Sequence, residues 1–333
     1  MAGEKYPFVS VVMPVRNERD YIQQSLEAVL AQDYPRECME ILIVDGMSED
    51  GTREYVCEQQ KHVPNLYLLD NPGKIVPVGL NIAIAKAKGE IVVRVDGHCI
   101  IAPDYIRRCV DYLEREPIVG VGGPMETVGE TPTARTIALA MSSLFGVGNS
   151  AFRVHVNSHR YVDTIPFPAY RMSTLREAGP FDEDLIRNQD DEYNYRLRSM
   201  GGKLLLAPDV RSKYYSRGSL KALWRQYFQY GFFKVRVLQK HPAQFSLRQL
   251  IPPAFVGTLL VALVLSVFIV PMRYFLLGLL VVYTAVNFGV SLLIAIRHGW
   301  EHFWRLPPTF AILHIAYGLG FLTGLLKAIA RKN

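Results

Sequence analysis

With 333 residues, half of them hydrophobic, and a net charge of +6, the chain has material for one large or two ordinary domains. The positive charge does not read as a nucleic-acid footprint. Basic and acidic residues are interspersed until residues 211–248, where Lys and Arg dominate beside an apolar tail, a placement that suits anionic lipid. The four cysteines, Cys38, Cys57, Cys99 and Cys109, form no C-x-x-C pair and no zinc-finger spacing with His, which excludes a disulfide framework and a structural zinc site.

Residues 1–8 are polar and lack an apolar h-region, so the part that follows is expected to stay in the cytoplasm. Residues 8–15, 40–44 and 90–95 are β-branched runs that read as strands. Between them, residues 21–31 place Ile22, Leu26, Val29 and Leu30 on one helical side, and residues 78–87 do the same with Leu80, Ile82, Ala83, Ile84 and Ala87. This alternation predicts a parallel sheet covered by helices, an α/β fold. In such sheets ligands bind beyond the carboxyl ends of the strands. Those ends carry Pro14-Val15-Arg16-Asn17-Glu18, the polar segment 45–52, and Asp96-Gly97-His98.

The last triplet points to chemistry. A nucleotide diphosphate needs its charge neutralised by a divalent cation held on few protein ligands, and Asp96 and His98 supply a carboxylate and an imidazole. Imidazole suits Mn²⁺ better than Mg²⁺. Segment 45–52 also reads as a turn and helix start, since Ser48, Asp50 and Thr52 are good capping residues. His155, His159 and His241 lack the i, i+4 spacing of a helical metal pair.

Beyond residue 253 the solvent changes. Residues 254–270 and 274–296 are long enough as helices to cross about 30 Å of hydrocarbon, and residues 309–326 form a third, weaker candidate. Three crossings would leave Lys327, Arg331 and Lys332 on the outer side, against the positive-inside rule, so a re-entrant or interfacial third segment stays open. Residues 220–238 interleave Trp224, Tyr227, Phe228, Phe232 and Phe233 with Lys221, Arg225, Lys234 and Arg236, as an interfacial amphipathic helix does.

Taken in order and spacing, residues 1–215 resemble a family 2 glycosyltransferase of the GT-A fold, a Rossmann-like, mainly parallel sheet. Residues 9–17 match its first strand and nucleotide-binding turn. Residues 41–52 match V-D-D-G-S-x-D-G-T with Gly46 in place of the second Asp, and Asp96-Gly97-His98 stands where D-x-D is usual. The resemblance implies that Asp45 reads a uracil base with Arg16, Asn17 and Glu18 nearby, that Lys74 and Asn81 belong to the G-K and L-N elements, and that Lys74 reaches phosphate. Gly179-Pro180-Phe181-Asp182-Glu183 and residues 188–196 resemble the G-G-F-D-E and E-D-x-D-L-x-x-R segments of inverting members. There Asp190 falls on the catalytic base, with Asp191 as its one-residue rival and Glu192 and Arg196 setting the register. Gln226 stands at the start of the Q-x-x-R-W segment, but Gln229 and Tyr230 replace its Arg and Trp, which argues against processive synthesis.

The expected organisation is a GT-A domain over residues 1–217, an interfacial segment over 218–252 and a transmembrane region of about three helices over 253–333. The resemblance implies inverting transfer, with Mn²⁺ or Mg²⁺, from a UDP-sugar to a lipid-linked saccharide of exopolysaccharide assembly, with UDP-glucose the expected donor. Membrane lipids are partners and nucleic acid is not. The catalytic domain faces the cytoplasm in a multi-pass protein of the cell membrane. A polyprenyl-phosphate acceptor, as in the polyprenyl-phosphate sugar synthases, and a non-catalytic sugar-nucleotide-binding scaffold are the alternatives.

Overall fold

The computed structural model describes residues 6–148, 152–153 and 157–330. His155, Arg331, Lys332 and the first five residues lie outside them. In chain order the elements are β1 (Val9–Val15), α1 (Ile22–Leu30), β2 (Met39–Asp45), α2 (Thr52–Gln60), β3 (Leu66–Asp70), α3 (Val76–Lys86), β4 (Ile91–Arg94), β5 (Cys99–Ile101) and α4 (Tyr105–Arg115). They continue with β6 (Gly120–Gly122), β7 (Met125–Val128), α5 (Pro132–Met141), α6 (Leu144–Val147), β8 (Arg160–Tyr161), β9 (Ala169–Arg171), α7 (Met172–Ala178) and α8 (Gln189–Ser199). Last come β10 (Leu204–Leu206), β11 (Ser212–Tyr215), α9 (Leu220–Lys240), α10 (Leu247–Phe268), α11 (Val270–His298) and α12 (Leu306–Ala330).

Two compact units result, one from residues 1–126 and 155–214, the other from 127–154 and 215–333. The first is built on an eight-stranded sheet in the order β3-β2-β1-β4-β9-β6-β10-β8. β3, β2, β1 and β4 run parallel, and β9 enters antiparallel to both β4 and β6. Every residue of β1, β2 and β4 is buried, which is why these strands read as unbroken apolar runs without alternation. The exceptions are informative. Ser10 and Glu40 lie buried in β1 and β2, and Glu40 accepts from the Ser10 hydroxyl and the Lys88 amide at 2.6 Å each, which ties down the turn into β4. The parallel order puts the carboxyl ends of β1, β2 and β4 on one edge, where the polar segments follow.

The second unit combines α9–α12 with α5 and α6. The sequence-based division at 217 and 252 differs from these units at two places. Residues 127–154 pack with the C-terminal helices, through Ile137, Ala140 and Met141 of α5 against Leu306, Phe310 and Leu313 of α12. α10 begins at Leu247, because its interior prolines Pro252 and Pro253 do not stop it. Among the described residues three helices, α10, α11 and α12, are long and apolar enough to cross a membrane.

α9 and α12 lie backbone against backbone. A Cβ on Gly231 would sit 2.0 Å from the Tyr317 carbonyl oxygen, and one on Gly320 would sit 2.0 Å from that of Phe228. No larger residue fits either position. Replacing Gly320 by Leu should therefore cost roughly 3 kcal/mol or more, the upper range for overpacking, and lower the thermal midpoint of the detergent-purified protein. An unchanged midpoint would mean that the helices do not approach this closely.

Candidate active site

The turns after β1 and β2 are stitched together by their own polar residues. The Asn17 amide donates to the Ser48 hydroxyl at 2.9 Å, and the Asn17 side-chain oxygen accepts from the Glu49 amide at 3.0 Å. The Glu18 amide donates to the Thr52 hydroxyl, and the Arg19 amide to Asp50. Burial alone would raise the Asp50 carboxyl, but hydrogen bonds from the Thr52 hydroxyl and from the Arg19 and Thr52 amides outweigh it and hold the group below the usual aspartate range. Ser48 thus serves the loop–loop seam, while Asp50 serves both the seam and the start of α2 by accepting from the Thr52 amide at 3.0 Å; the N-cap itself is Gly51, not one of the expected capping residues. Asn17, Met47, Lys74 and Asn188 all adopt left-handed backbone, with φ between 54° and 63°. Such conformations in non-glycine residues collect where a structure is shaped for function.

Asp45 is fully buried. Its carboxylate accepts from the Ser48 amide at 3.1 Å and from Arg53 at 3.2 Å, while Arg53 also reaches Asp70 at 2.7 Å. Arg53 therefore ties the ends of β2 and β3 together. Pro14 is buried within β1. Arg16 is exposed and donates to the Lys74 carbonyl at 3.3 Å, and its side chain passes over Gly46, where a Cβ would meet it at 3.0 Å. The missing second Asp thus leaves the room that Arg16 occupies. Lys74 is itself exposed.

In the Asp96-Gly97-His98 triplet, His98 Nδ1 faces Glu18 Oε1 at 2.9 Å, and the ring packs edge-on against Tyr214. A Cβ on Gly97 would press on Glu18 at 3.0 Å, so the glycine lets Glu18 lie beside the triplet. A carboxylate that holds one imidazole nitrogen fixes the ring and leaves Nε2 toward a ligand. Among the described residues no group of three or more His, Cys, Asp or Glu side chains is arranged to hold a metal ion. Asp96 and His98 accordingly fit a divalent cation as a two-donor set, a carboxylate and an imidazole, with the remaining positions left for water and phosphate oxygens.

The residue that joins this triplet to the candidate base is Arg94, the last residue of β4. Its side chain is 8 % exposed. Nε donates to Asp96 Oδ1 at 2.8 Å and Nη2 to Oδ2 at 3.3 Å, while Nη1 donates to Asp190 Oδ1. Burial alone would lower the Arg94 pKa, but the charges of Asp190 and Asp96 outweigh it and raise it. Burial raises the Asp190 carboxyl above the ordinary aspartate range; Arg94 opposes this, and the charges of Asp96 and Asp191 add to it. Asp190 keeps 36 % of its side-chain surface, so its carboxylate is not closed off from solvent. A raised carboxylate is a better match to proton removal near neutral pH. Asp191 is the next residue of the same first turn of α8, and no ion pair links it to Arg94 among the described residues.

The supporting segments are held from both sides. Asn81 of α3 donates to the Phe181 carbonyl at 2.9 Å and accepts from the Phe181 amide at 2.7 Å. Arg196 donates to the Ala178 and Pro180 carbonyls and pairs with Glu192. Phe181 stacks on Tyr193 with ring centroids 3.9 Å apart. Gln226 lies within α9, where it donates to the Tyr230 hydroxyl.

The sequence pattern of glycosyl transferase family 2 matches residues 10–177, half of the chain. The chain belongs to glycosyl transferase family 2. Across nearly its whole length this family member is 29 % identical to the dolichyl N-acetyl-alpha-D-glucosaminyl phosphate 3-beta-D-2,3-diacetamido-2,3-dideoxy-beta-D-glucuronosyltransferase of Methanococcus voltae, with 96 % of this chain and 98 % of that protein covered. It is also 29 % identical to the succinoglycan biosynthesis protein ExoA of Rhizobium meliloti, with 95 % and 94 % covered. In fold it is similar to the mannosyltransferase PcManGT of Pyrobaculum calidifontis, solved with GDP-Man and Mn²⁺, at a TM-score of 0.62 and 21 % identity over 96 % of this chain and 88 % of that one. The architecture is therefore GT-A.

Arg94 and Arg53 were not singled out by the sequence. The only signal for Arg94 is a cation closing the otherwise apolar run Ile91–Arg94, where a buried charge demands partners. Replacing Arg94 by Lys keeps the charge but removes the planar fork that spans two carboxylates. The variant should fold and bind donor nearly as the parent does, yet transfer sugar at least ~10-fold more slowly in kcat, from loss of orientation. A rise in KM with kcat unchanged would place Arg94 in donor binding instead.

Proposed function

We propose that this family 2 enzyme transfers glucose from UDP-glucose, with inversion, to a lipid-linked saccharide at the cytoplasmic face of the membrane. The observation that carries the reading is the Arg94 bridge, which brings Asp96 of the metal triplet and Asp190 of α8 to one guanidinium. Donor-side and acceptor-side carboxylates are thereby adjacent, as in-line displacement requires. The acceptor hydroxyl attacks the anomeric carbon, the bond from that carbon to the diphosphate oxygen breaks, and Asp190 takes the hydroxyl proton. A divalent cation on Asp96 and His98, when bound, would neutralise the diphosphate charge and favour its departure. Glu18 orients His98, and the Asn17–Ser48 seam shapes the turn over which the nucleotide is expected to lie, with Arg16 and Lys74 at its rim. Asp45, enclosed by Arg53 and Ser48, reads the base by sharing an oxygen with it or by releasing Arg53.

The acceptor reading draws on the relatives. One carries a dolichyl-linked sugar phosphate in its name and the other belongs to succinoglycan biosynthesis, and each covers this chain nearly end to end. The apolar helices α10 and α11 support work at a membrane.

Asp190→Asn should keep UDP-sugar binding near that of the parent and lower transfer by roughly 10²-fold or more, the effect of removing a general base. Asp191→Asn is the parallel control. If it loses transfer while Asp190→Asn does not, the base is Asp191; if neither loses transfer, no base lies in this segment. In the same assay, excess EDTA should abolish UDP release and Mn²⁺ should restore it at least as well as Mg²⁺. Full activity in EDTA would remove the metal from the account.

A further inference from the structure

The three apolar helices differ in how they are packed. In α10 and α11 only 17 % of the most apolar stretch is buried within the protein, whereas in α12 the figure is 44 %. Most of that covering comes from α9. Phe228 meets Gly320, Gly231 meets Tyr317 and Phe321, and Phe232 meets Gly324 and Lys327, so the two helices run parallel. Leu223 and Tyr227 continue the seam toward Leu306, Phe310, Leu313 and Ala316. α9 accompanies α12 along most of its length, at glycine-limited distance. Whatever depth α12 takes in a bilayer, α9 must share.

α9 cannot share a full crossing. Its 21 residues carry Lys221, Arg225, Lys234, Arg236 and Lys240 and no carboxylate. In a full crossing Arg225 and Lys234, four to five residues either side of the helix centre, would stand deep in the hydrocarbon, where each is costly. We propose that α12 does not cross the membrane: α9 and α12 lie as a pair at one face, and α10 and α11 cross as a hairpin. At about 1.5 Å per residue, their 22 and 29 residues span about 33 and 44 Å, enough for the hydrocarbon core.

The packing and the charges agree with this. α12 touches the hairpin from its open end to about its middle: Gly318 meets Pro252 and Val256, Asn287 donates to the Pro307 carbonyl at 3.0 Å, and the Tyr283 hydroxyl lies 3.0 Å from His314 Nδ1. Toward the closed end the side chains are exposed on both arms, among them Val264, Phe268, Tyr274 and Val281. Between Arg248 and Arg297 the only charged residue is Arg273. Its guanidinium donates to the Ser266 and Val267 carbonyls at the end of α10. Arg236, Lys240, Arg248, Arg297, Arg305 and Lys327 then share one side, with Arg273 alone on the other, as the positive-inside rule asks. The chain enters α9 directly from β11, so the GT-A unit and the C-terminus belong on the same side of the bilayer.

The test is cysteine labelling of the full chain in sealed membrane vesicles of either orientation, with a membrane-impermeant maleimide. With Cys38 changed to Ser, exposed Cys57 marks the side of the GT-A unit. In a background that also carries Cys57→Ser, Ala330→Cys should be labelled in the vesicles that label Cys57, and Ile269→Cys only in those of opposite orientation. Labelling of Ala330→Cys solely in the opposite vesicles would overturn the proposal by restoring a third crossing. Labelling of Ile269→Cys on the Cys57 side would overturn it by removing the hairpin crossings. Proteolysis of an epitope tag placed after Asn333, in the otherwise native chain, gives the same readout without substitutions: cleavage on the Cys57 side is expected, and protection there contradicts the proposal. None of these outcomes depends on which sugar is transferred.

Discussion

A guanidinium buried at the carboxyl end of a central strand is the constraint around which the catalytic unit is arranged. Arg94 cannot shed its charge, and with 8 % of its side chain exposed it cannot rely on water. Two carboxylates must come to it. Asp96 comes from the next turn of chain, and Asp190 from the first turn of α8, 96 residues away in sequence. Removing one partner of such a buried pair costs about 3–5 kcal/mol where enclosure is complete. The 22 % and 36 % exposure of Asp96 and Asp190 places this cluster toward the lower end. The same bond that satisfies the buried cation also holds the first turn of α8, so stability and the placing of the carboxylate proposed as the base are one requirement.

What could be read from the sequence follows the range of the forces involved. β1, β2 and β4 announce themselves as β-branched runs because they are buried on both faces, and α1 as a stripe because it covers one; in α3 only Leu80 and Ala83 of the expected stripe are buried, with Ile82 and Ile84 half-buried and Ala87 beyond the helix end. The Asp96-Gly97-His98 triplet was visible because its chemistry is local. β3 was not visible: of its five residues only Leu66 is buried, as befits the sheet's edge, and no long apolar run marks it. The pairings of Glu18 with His98, Arg53 with Asp45 and Arg94 with Asp190 were likewise hidden, because each joins segments that only the folded sheet brings together. The departures from the family pattern become intelligible in the same way. Gly46, in place of the second Asp, yields its space to Arg16, and His98, in place of the last Asp of D-x-D, is held by Glu18, for which Gly97 leaves room.

In the C-terminal unit the composition alone is misleading. α12 is comparable in length to its neighbours and less apolar, so hydropathy marks it as the weaker candidate without saying where it lies. Gly231, Gly320 and Gly324 distinguish it, because they let a polar-studded helix approach until backbone meets backbone. Gly in a helix interior weakens the isolated helix, so its repeated use here marks a packing need that propensity scales do not register. α5 belongs to this unit for a related reason: its apolar residues Ile137, Ala140 and Met141 are matched to α12.

The central claim is that one carboxylate next to the metal triplet activates the acceptor for direct displacement at the anomeric carbon. The stereochemistry of the product reports on this without reference to any mutant. With UDP-α-glucose as donor, proton NMR of the newly formed linkage should show the β-anomeric configuration. An α-linked product would contradict single in-line displacement and, with it, the role assigned to Asp190.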